Sequence, residues 1–175
     1  AFPFTVIEVV RMGLMTGAHG DDATLPARAL ALVGLAGHEG RFFQELSGGE
    51  QQRAHLARVL VQVWQPVDDA GPRWLLLDEP VSSLDIAHQL EVMEIVARYA
   101  RRGGGVVAVM HDLNLTALHA DRIAVMQQGR LRAFGPPAEV MTDAILSEVY
   151  GCRLRVGAAP EGAAPFVLPH CATPG

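Results

Sequence analysis

Residues 74–80 read Trp-Leu-Leu-Leu-Asp-Glu-Pro, an apolar run that ends in two acidic residues. Continuous rather than alternating hydrophobicity is typical of strands buried in a parallel sheet, so this stretch predicts a buried strand. Residues 106–110, Val-Val-Ala-Val-Met, form a second run of this kind, and His111 follows it directly. Between the two runs, Asp85 and the apolar spacing behind it predict a long helix that ends at the glycines 103–105. This order of elements predicts a βαβ unit with parallel strands.

The two predicted strands end in polar side chains, Asp78 and Glu79 on one and His111 on the other. Ligands of open parallel sheets bind beyond the carboxyl ends of the strands. Two acids at such a position are costly unless they face a cation or a polar pocket. One acid can organise Mg²⁺ through its hydration shell, and the other can orient or deprotonate a water that attacks phosphorus. The alternative is that these strand ends simply meet solvent.

Residues 46–53 read Leu-Ser-Gly-Gly-Glu-Gln-Gln-Arg. Ser47 and Glu50 have the spacing of a capping box, which predicts a helix that begins here. The two glycines leave the first backbone N–H groups unobstructed, and a helix N-terminus attracts anions. The same Ser-x-x-Glu spacing occurs at ordinary helix starts, so a plain structural cap is the alternative.

Composition bounds the classes of protein that the chain can belong to. Its 175 residues are 50% hydrophobic, which suits one globular domain with a sizeable core. No stretch approaches about 18 uninterrupted apolar residues, so no transmembrane helix is predicted. The net charge of −5 disfavours a protein that tracks nucleic-acid phosphates. All 14 basic residues are arginine, which excludes any chemistry that needs a lysine of this chain.

The rest of the sequence predicts further local elements and a division of the chain into three segments. Thr5 and Glu8 form another capping-box pair, and Gln128-Gly129 between two apolar runs predicts a hairpin turn. A helical tail is predicted from Pro136 to Tyr150, and an Ala/Pro/Gly-rich stretch follows it. We expect the following divisions: 1–45, the remainder of a helical subdomain; 46–156, the helix at Ser47 and the C-terminal part of a core; 157–175, a flexible tail.

Four of these features together resemble the motifs of ATP-binding cassette (ABC) ATPases. Residues 46–53 resemble the signature motif, and Asp78-Glu79 resembles the Walker B motif with its catalytic glutamate. Residues 83–85, Ser-Leu-Asp, resemble the D-loop, and His111 resembles the switch histidine. The motifs occur in the order of the family, and the resemblance covers the chain from its start to about residue 155.

The resemblance implies an α/β fold, namely a partial P-loop NTPase (ABC ATPase) fold with a parallel sheet core, a helical subdomain and its first strands missing. It also implies roles for the matched residues. Asp78 would hold Mg²⁺, Glu79 would polarise the attacking water, and His111 would contact the γ-phosphate of ATP. Asp85 would cross a dimer interface. The residues expected to close over the nucleotide of the opposite subunit are Ser47, Gly48, Gly49 and Gln51.

Within the family, residues 72–75, 85–91 and 111–115 look most like the ATP-binding subunit of haem importers. This likeness implies an energy-coupling ATPase with a second copy, membrane permease subunits and, indirectly, a periplasmic binding protein as partners. It also implies a peripheral position at the cytoplasmic face of the inner membrane and no nucleic-acid partner. Importers of iron-siderophore complexes or cobalamin share many of these features and stay open as alternatives.

Two further alternatives are a soluble ABC ATPase of DNA repair or chromosome structure and a catalytically dead remnant. The soluble class typically carries coiled-coil or zinc insertions and a basic surface, whereas residues 1–45 show neither heptads nor cysteine pairs. An upstream reading frame that encodes a P-loop would favour the importer, and a stop codon would favour the remnant.

The chain departs from the family in two motifs. The P-loop, G-x-x-x-x-G-K-[ST], is absent, as is the glutamine of the Q-loop. The P-loop backbone wraps the phosphates of the nucleotide and its lysine reaches the β- and γ-phosphate oxygens. We therefore expect an N-terminally truncated chain that does not hydrolyse ATP alone, with a sheet edge and apolar surface exposed.

Overall fold

The computed structural model describes residues 3–15, 22–159, 162 and 165–171. The α-helices are α1 (Val6–Arg11), α2 (Leu25–Leu32), α3 (Gly48–Gln62), α4 (Ile86–Arg101), α5 (Leu113–His119), α6 (Pro137–Val140) and α7 (Asp143–Tyr150). The strands are β1 (Val67–Asp68), β2 (Gly71–Pro72), β3 (Trp74–Asp78), β4 (Gly105–Val109), β5 (Ile123–Gln127) and β6 (Arg130–Gly135). Two short 3₁₀ turns cover Phe43–Glu45 and Pro169–Cys171.

The chain forms two compact units, one up to residue 111 and one from residue 112. This differs from the single domain that length and composition suggest. The second unit forms because its elements find partners among themselves: β5 pairs with β6, and α6 packs on this hairpin.

The helical part of the first unit consists of α1, α2 and α3, which pack on one another. The Glu8 carboxylate accepts hydrogen bonds from the backbone N–H and the hydroxyl of Thr5, at 2.7 and 2.6 Å. Pro26 lies in the first turn of α2, where a missing N–H is harmless. The side chains that these helices bury completely include Val6, Val10, Leu30 and Val61.

The predicted βαβ unit is present. Strands β3 and β4 are parallel and in register from Trp74 opposite Gly105 to Asp78 opposite Val109. Helix α4 connects them and begins at its N-cap residue Asp85. Its apolar stripe is buried, and the β3 side chain Leu75 is fully buried. The parallel register places the carboxyl ends of the two strands side by side.

The prediction that both faces of these strands are buried is wrong for one face. Leu76 is 73% exposed, and Val107 and Val109 are 51% and 54% exposed. The alternation of β3 carries Leu75 to the covered face and Leu76 to the open one. Within the described residues, the open face carries the apolar surface that the sequence led us to expect.

The second unit contains the predicted hairpin. Gln128 and Gly129 have positive φ angles of 49° and 73°, which is the conformation of the tight turns that suit the twist of paired strands. The predicted helical tail is two helices, because the Thr142 hydroxyl caps α7 by accepting from the Ile145 N–H. Pro169 is buried, and its 3₁₀ turn packs against α5.

Among the described residues, no helix combines the length and the apolar character that crossing a membrane would require.

Candidate functional site

Glu79 and His111 lie in direct contact where β3 and β4 end. The ring Nε2 of His111 is 2.6 Å from Glu79 Oε1, although the two residues are 32 positions apart in sequence. The contact is a hydrogen bond from the ring N–H, and an ion pair when the ring is protonated. The side chains are 76% and 43% exposed, so this pair can be reached from solvent.

The backbone of Glu79 is unusual and is held from two sides. Its φ angle is +46°, a left-handed conformation that costs a residue other than glycine roughly 1–2 kcal/mol. The Glu79 N–H donates to the carbonyl of Val109 at 3.0 Å. The Glu79 carbonyl accepts from Nε2 of Gln52 at 2.7 Å. Such a conformation persists only where the surroundings determine it, and residues of this kind cluster at functional sites.

Asp78 precedes Glu79 and is the last residue of β3. It is exposed and lies opposite Val109 in the sheet register. The residues that the structure describes contain no group of three or more His, Cys, Asp or Glu side chains that could hold a metal. Mg²⁺ usually keeps several waters and takes one or two carboxylates together with substrate phosphates. A single exposed aspartate fits this mode of binding, and it does not fit an all-protein metal cage.

The start of α3 is a complete capping box. The Ser47 N–H donates to Glu50 Oε2 at 2.7 Å, and the Glu50 N–H donates to the Ser47 hydroxyl at 3.3 Å. The Ser47 N–H lowers the pKa of the Glu50 carboxyl, and the Ser47 hydroxyl, Arg41 and His38 lower it further. Ser47 and Gly48 are exposed, and a Cβ atom on Gly48 would meet nothing within 4 Å.

Gly49 and Gln51 make contacts within their own chain. A Cβ atom on Gly49 would lie 3.1 Å from a Leu84 methyl group and 3.3 Å from the Ser83 carbonyl. The Gln51 amide donates to the Leu46 carbonyl at 3.1 Å and supports the turn before α3. The predicted roles of both residues toward a second subunit stay predictions.

Asp85 caps α4 through local contacts. Its Oδ1 accepts from the backbone N–H of His88 at 3.0 Å and lies 2.7 Å from the His88 ring Nδ1. The pKa of Asp85 is lowered, first by that backbone N–H and then by the ring. The Asp85 side chain is 67% exposed and can be reached by another molecule.

Gln52 joins α3 to the strand-end residues, and the sequence reasoning missed it. Besides its bond to the Glu79 carbonyl, its Oε1 accepts from the Ser83 N–H at 3.3 Å. Gln52 belongs to the string 46–53, but nothing in that string indicates which distant carbonyl its amide would meet. The structure thus brings Glu79 and His111 together and ties the turn at Glu79 to α3 through Gln52.

Relatives of high identity cover almost the whole chain. The chain is 64% identical over 172 residues to the hemin import ATP-binding protein HmuV of Jannaschia sp. (strain CCS1), matching 98% of itself and 64% of that protein. The protein of the same name from Rhizobium meliloti (strain 1021) is 58% identical over 177 residues, 99% of this chain and 67% of that protein. The chain therefore spans about two thirds of the length of these relatives. It matches no protein-family profile.

Solved structures share the fold. An inward-facing metal-chelate type ABC transporter aligns with a TM-score of 0.73 and 24% identity, over 87% of this chain and 60% of the other. The structure of cbiO1 from Clostridium perfringens, part of the ABC transporter complex cbiONQ, aligns with a TM-score of 0.63 and 27% identity, over 84% and 57% of the two chains.

Proposed function

The chain belongs to the hemin import ATP-binding proteins, a family of ABC transporter ATPase subunits, and we propose that it is part of the subunit that couples ATP hydrolysis to hemin import. The observation that carries the chemistry is the 2.6 Å contact between Glu79 and His111 at the ends of two parallel strands. Because these relatives are named for hemin import, they support hemin as the transported molecule. We assign the choice of cargo to other subunits of the transporter.

The reaction that fits this geometry is attack of water on the γ-phosphate of ATP, in which a bond from the water oxygen to phosphorus forms, the bond to the β–γ bridging oxygen breaks, and ADP leaves. Glu79 would accept the hydrogen bond of the attacking water, and a positioned carboxylate can contribute 10²–10⁴-fold as a general base. The exposed ring of His111, already oriented by its Nε2–H bond to Glu79, would donate from Nδ1 toward the γ-phosphate when the ring is protonated. Asp78 would hold Mg²⁺. When bound, this ion would neutralise the charge that develops on the phosphate oxygens during the reaction.

A second copy of the chain would complete the site. Ser47 and Gly48 are exposed at the N-terminus of α3, where backbone N–H groups and the helix dipole favour a phosphate. We infer that Ser47, Gly48, Gly49 and Gln51 close over the nucleotide held by the partner, and that the exposed Asp85 lies at the interface between them. Membrane permease subunits would bind the assembled pair, which places the protein peripherally at the cytoplasmic face of the inner membrane, with a periplasmic binding protein as an indirect partner.

The ATPase proposal includes a negative prediction. The 175 residues contain no lysine and no G-x-x-x-x-G-K-[ST] motif, so they lack the cradle that supplies most of the binding energy for phosphates. We expect no ATP turnover by these residues alone. We expect turnover when the phosphate-binding segment of a hemin import relative is joined to their N-terminus, giving what we call the extended chain.

The test is a comparison of ATP turnover by both proteins with and without Mg²⁺. The proposal is supported if the extended chain shows Mg²⁺-dependent turnover and the 175 residues alone show none. The extended chain, reconstituted with permease subunits in vesicles, should then drive hemin uptake. A folded extended chain without turnover contradicts the ATPase assignment. Turnover by the 175 residues alone that Glu79→Gln abolishes contradicts the need for the cradle.

A further inference from the structure

We propose that Gln52 is a positioning residue that holds the backbone of Glu79 and thereby directs its carboxylate to His111. The inference rests on the proposed ATPase function where it concerns catalysis. The positioning itself is a property of the fold, and it can be measured without nucleotide.

The Gln52 amide uses both of its functional ends on one short turn. Its NH₂ group donates to the Glu79 carbonyl at 2.7 Å, and its oxygen accepts from the Ser83 N–H at 3.3 Å. An amide side chain offers a donor at one end and an acceptor at the other, as this arrangement requires. The bond to the Glu79 carbonyl is part-buried, so a water molecule replaces it less easily than it would replace a bond at the surface, whereas the bond from Ser83 is exposed.

These bonds matter because Glu79 has a left-handed backbone. Its N–H is held by the Val109 carbonyl on β4, and its carbonyl is held by Gln52 on α3. Without the bond from Gln52, the carbonyl is released and the Glu79 backbone can adopt the more common right-handed or extended conformations. That change would carry the carboxylate away from the His111 ring, with which it is now in contact at 2.6 Å.

The start of α3 and the turn after β3 are also joined by packing. Gly49 lies so close to Ser83 and Leu84 that an added Cβ atom would approach both within 3.3 Å. Gln52 follows one helical turn later and binds the same turn. A displacement of the first turns of α3, the segment expected to meet the partner's nucleotide, would therefore be passed to Glu79 of the same subunit.

The first test uses the 175-residue chain and measures amide hydrogen exchange of Ser83 together with the backbone ¹³C shifts of Glu79. The variants are Gln52→Met, which removes donor and acceptor, and Gln52→Glu, which removes only the donor. The matched control is Gln62→Met on the same helix, because the Gln62 amide donates only to the Arg58 carbonyl one turn back.

We expect amide hydrogen exchange of Ser83 to be at least tenfold faster in Gln52→Met than in the control. In both Gln52 variants, the backbone ¹³C shifts of Glu79 should move to values typical of a negative φ angle. Unchanged exchange and shifts in Gln52→Met would overturn the proposal, whatever the outcome of any ATPase assay.

The second test uses the extended chain and separates kcat from KM. A misplaced group can cost a hundredfold in rate, so we expect kcat to fall about tenfold or more in both Gln52 variants, with KM for ATP unchanged. If Gln52 acted only by accepting the hydrogen bond from Ser83, Gln52→Glu would keep a normal kcat, because it retains the acceptor. Rescue by Gln52→Glu, or a kcat equal to that of Gln62→Met, would overturn the positioning role. An extended chain that lacks all turnover contradicts the proposed function, and the exchange test still decides the positioning.

Discussion

Two regions of the candidate site are held together in different ways. The start of α3 is fixed by Ser47 and Glu50, which exchange hydrogen bonds across three positions of sequence. The turn at Glu79 is fixed by Gln52, Ser83 and His111, through contacts that span 27 to 32 positions. A helix start that stabilises itself can present its N–H groups to another molecule. The turn at Glu79, where we propose that the chemistry takes place, depends on the βαβ unit and on α3 for its shape.

The largest effect is expected at the turn itself. In the extended chain, Glu79→Gln should lower kcat for ATP by about 10³-fold, since the amide cannot accept a proton from water. The matched control is Glu94→Gln, whose carboxylate pairs with Arg101 on the same helix and has no role in the site. Steady-state phosphate release measures both. Rates within twofold of each other would remove Glu79 from the chemistry.

The partner of Glu79 should show the next largest effect. His111→Ala removes the only described ring in contact with the Glu79 carboxylate and should lower kcat about 10²-fold, the typical loss for one donor to a developing anion. His170→Ala, at an exposed position in the second unit, is the control. If the two alanine variants hydrolyse ATP equally well, His111 has no part in the mechanism.

A smaller effect should separate two adjacent glycines at the start of α3. Gly48→Ala should raise the free energy of unfolding by about 0.5 kcal/mol, because alanine favours the helix and its Cβ meets open space. Gly49→Ala should bring no gain, because its Cβ would press on Leu84 and the Ser83 carbonyl. Urea denaturation should show a difference of about 1 kcal/mol. Equal changes would show that α3 and the turn after β3 are not packed as described.

The smallest effect concerns pH. The pKa of Glu50 is lowered from its ordinary 4.5, chiefly by the Ser47 N–H, so the folded chain binds this proton more weakly than the unfolded chain. Its stabilising effect is therefore complete above about pH 4.5 and disappears as the pH falls through the lowered pKa.

Glu50→Gln should cost less than about 1 kcal/mol at pH 7, and the gap to the unsubstituted chain should close toward pH 3. Urea denaturation at several pH values measures this gap. A gap that stays constant between pH 7 and pH 3 would contradict the role of the charge.

What the sequence predicted correctly is mostly local. The capping box at Ser47, the N-cap at Asp85 and the turn at Gln128-Gly129 depend on residues within a few positions of one another. The parallel pairing of β3 and β4 was also predicted, because two apolar runs separated by a full helix leave few other arrangements.

What the sequence could not supply is non-local. An apolar run does not reveal which face of its strand other elements cover, so the sequence predicted an exposed apolar surface without placing it at Leu76 and Val107. The left-handed backbone of Glu79 and its tie to Gln52 arise from contacts between separate elements. The adjacency of Glu79 and His111 was expected from the strand ends, whereas the side-chain contact depends on how the βαβ unit packs.

Mixed dimers of the extended chain test most directly whether each nucleotide lies between the strand ends of one subunit and the α3 start of another. Glu79→Gln and Ser47→Arg are placed either in the same subunit or in opposite subunits of a differentially tagged dimer, and ATP turnover is measured. If the sites are shared, opposite placement leaves one site with neither change and retains about half the activity, whereas same-subunit placement damages both sites. Higher turnover with both changes in one subunit would contradict the shared site.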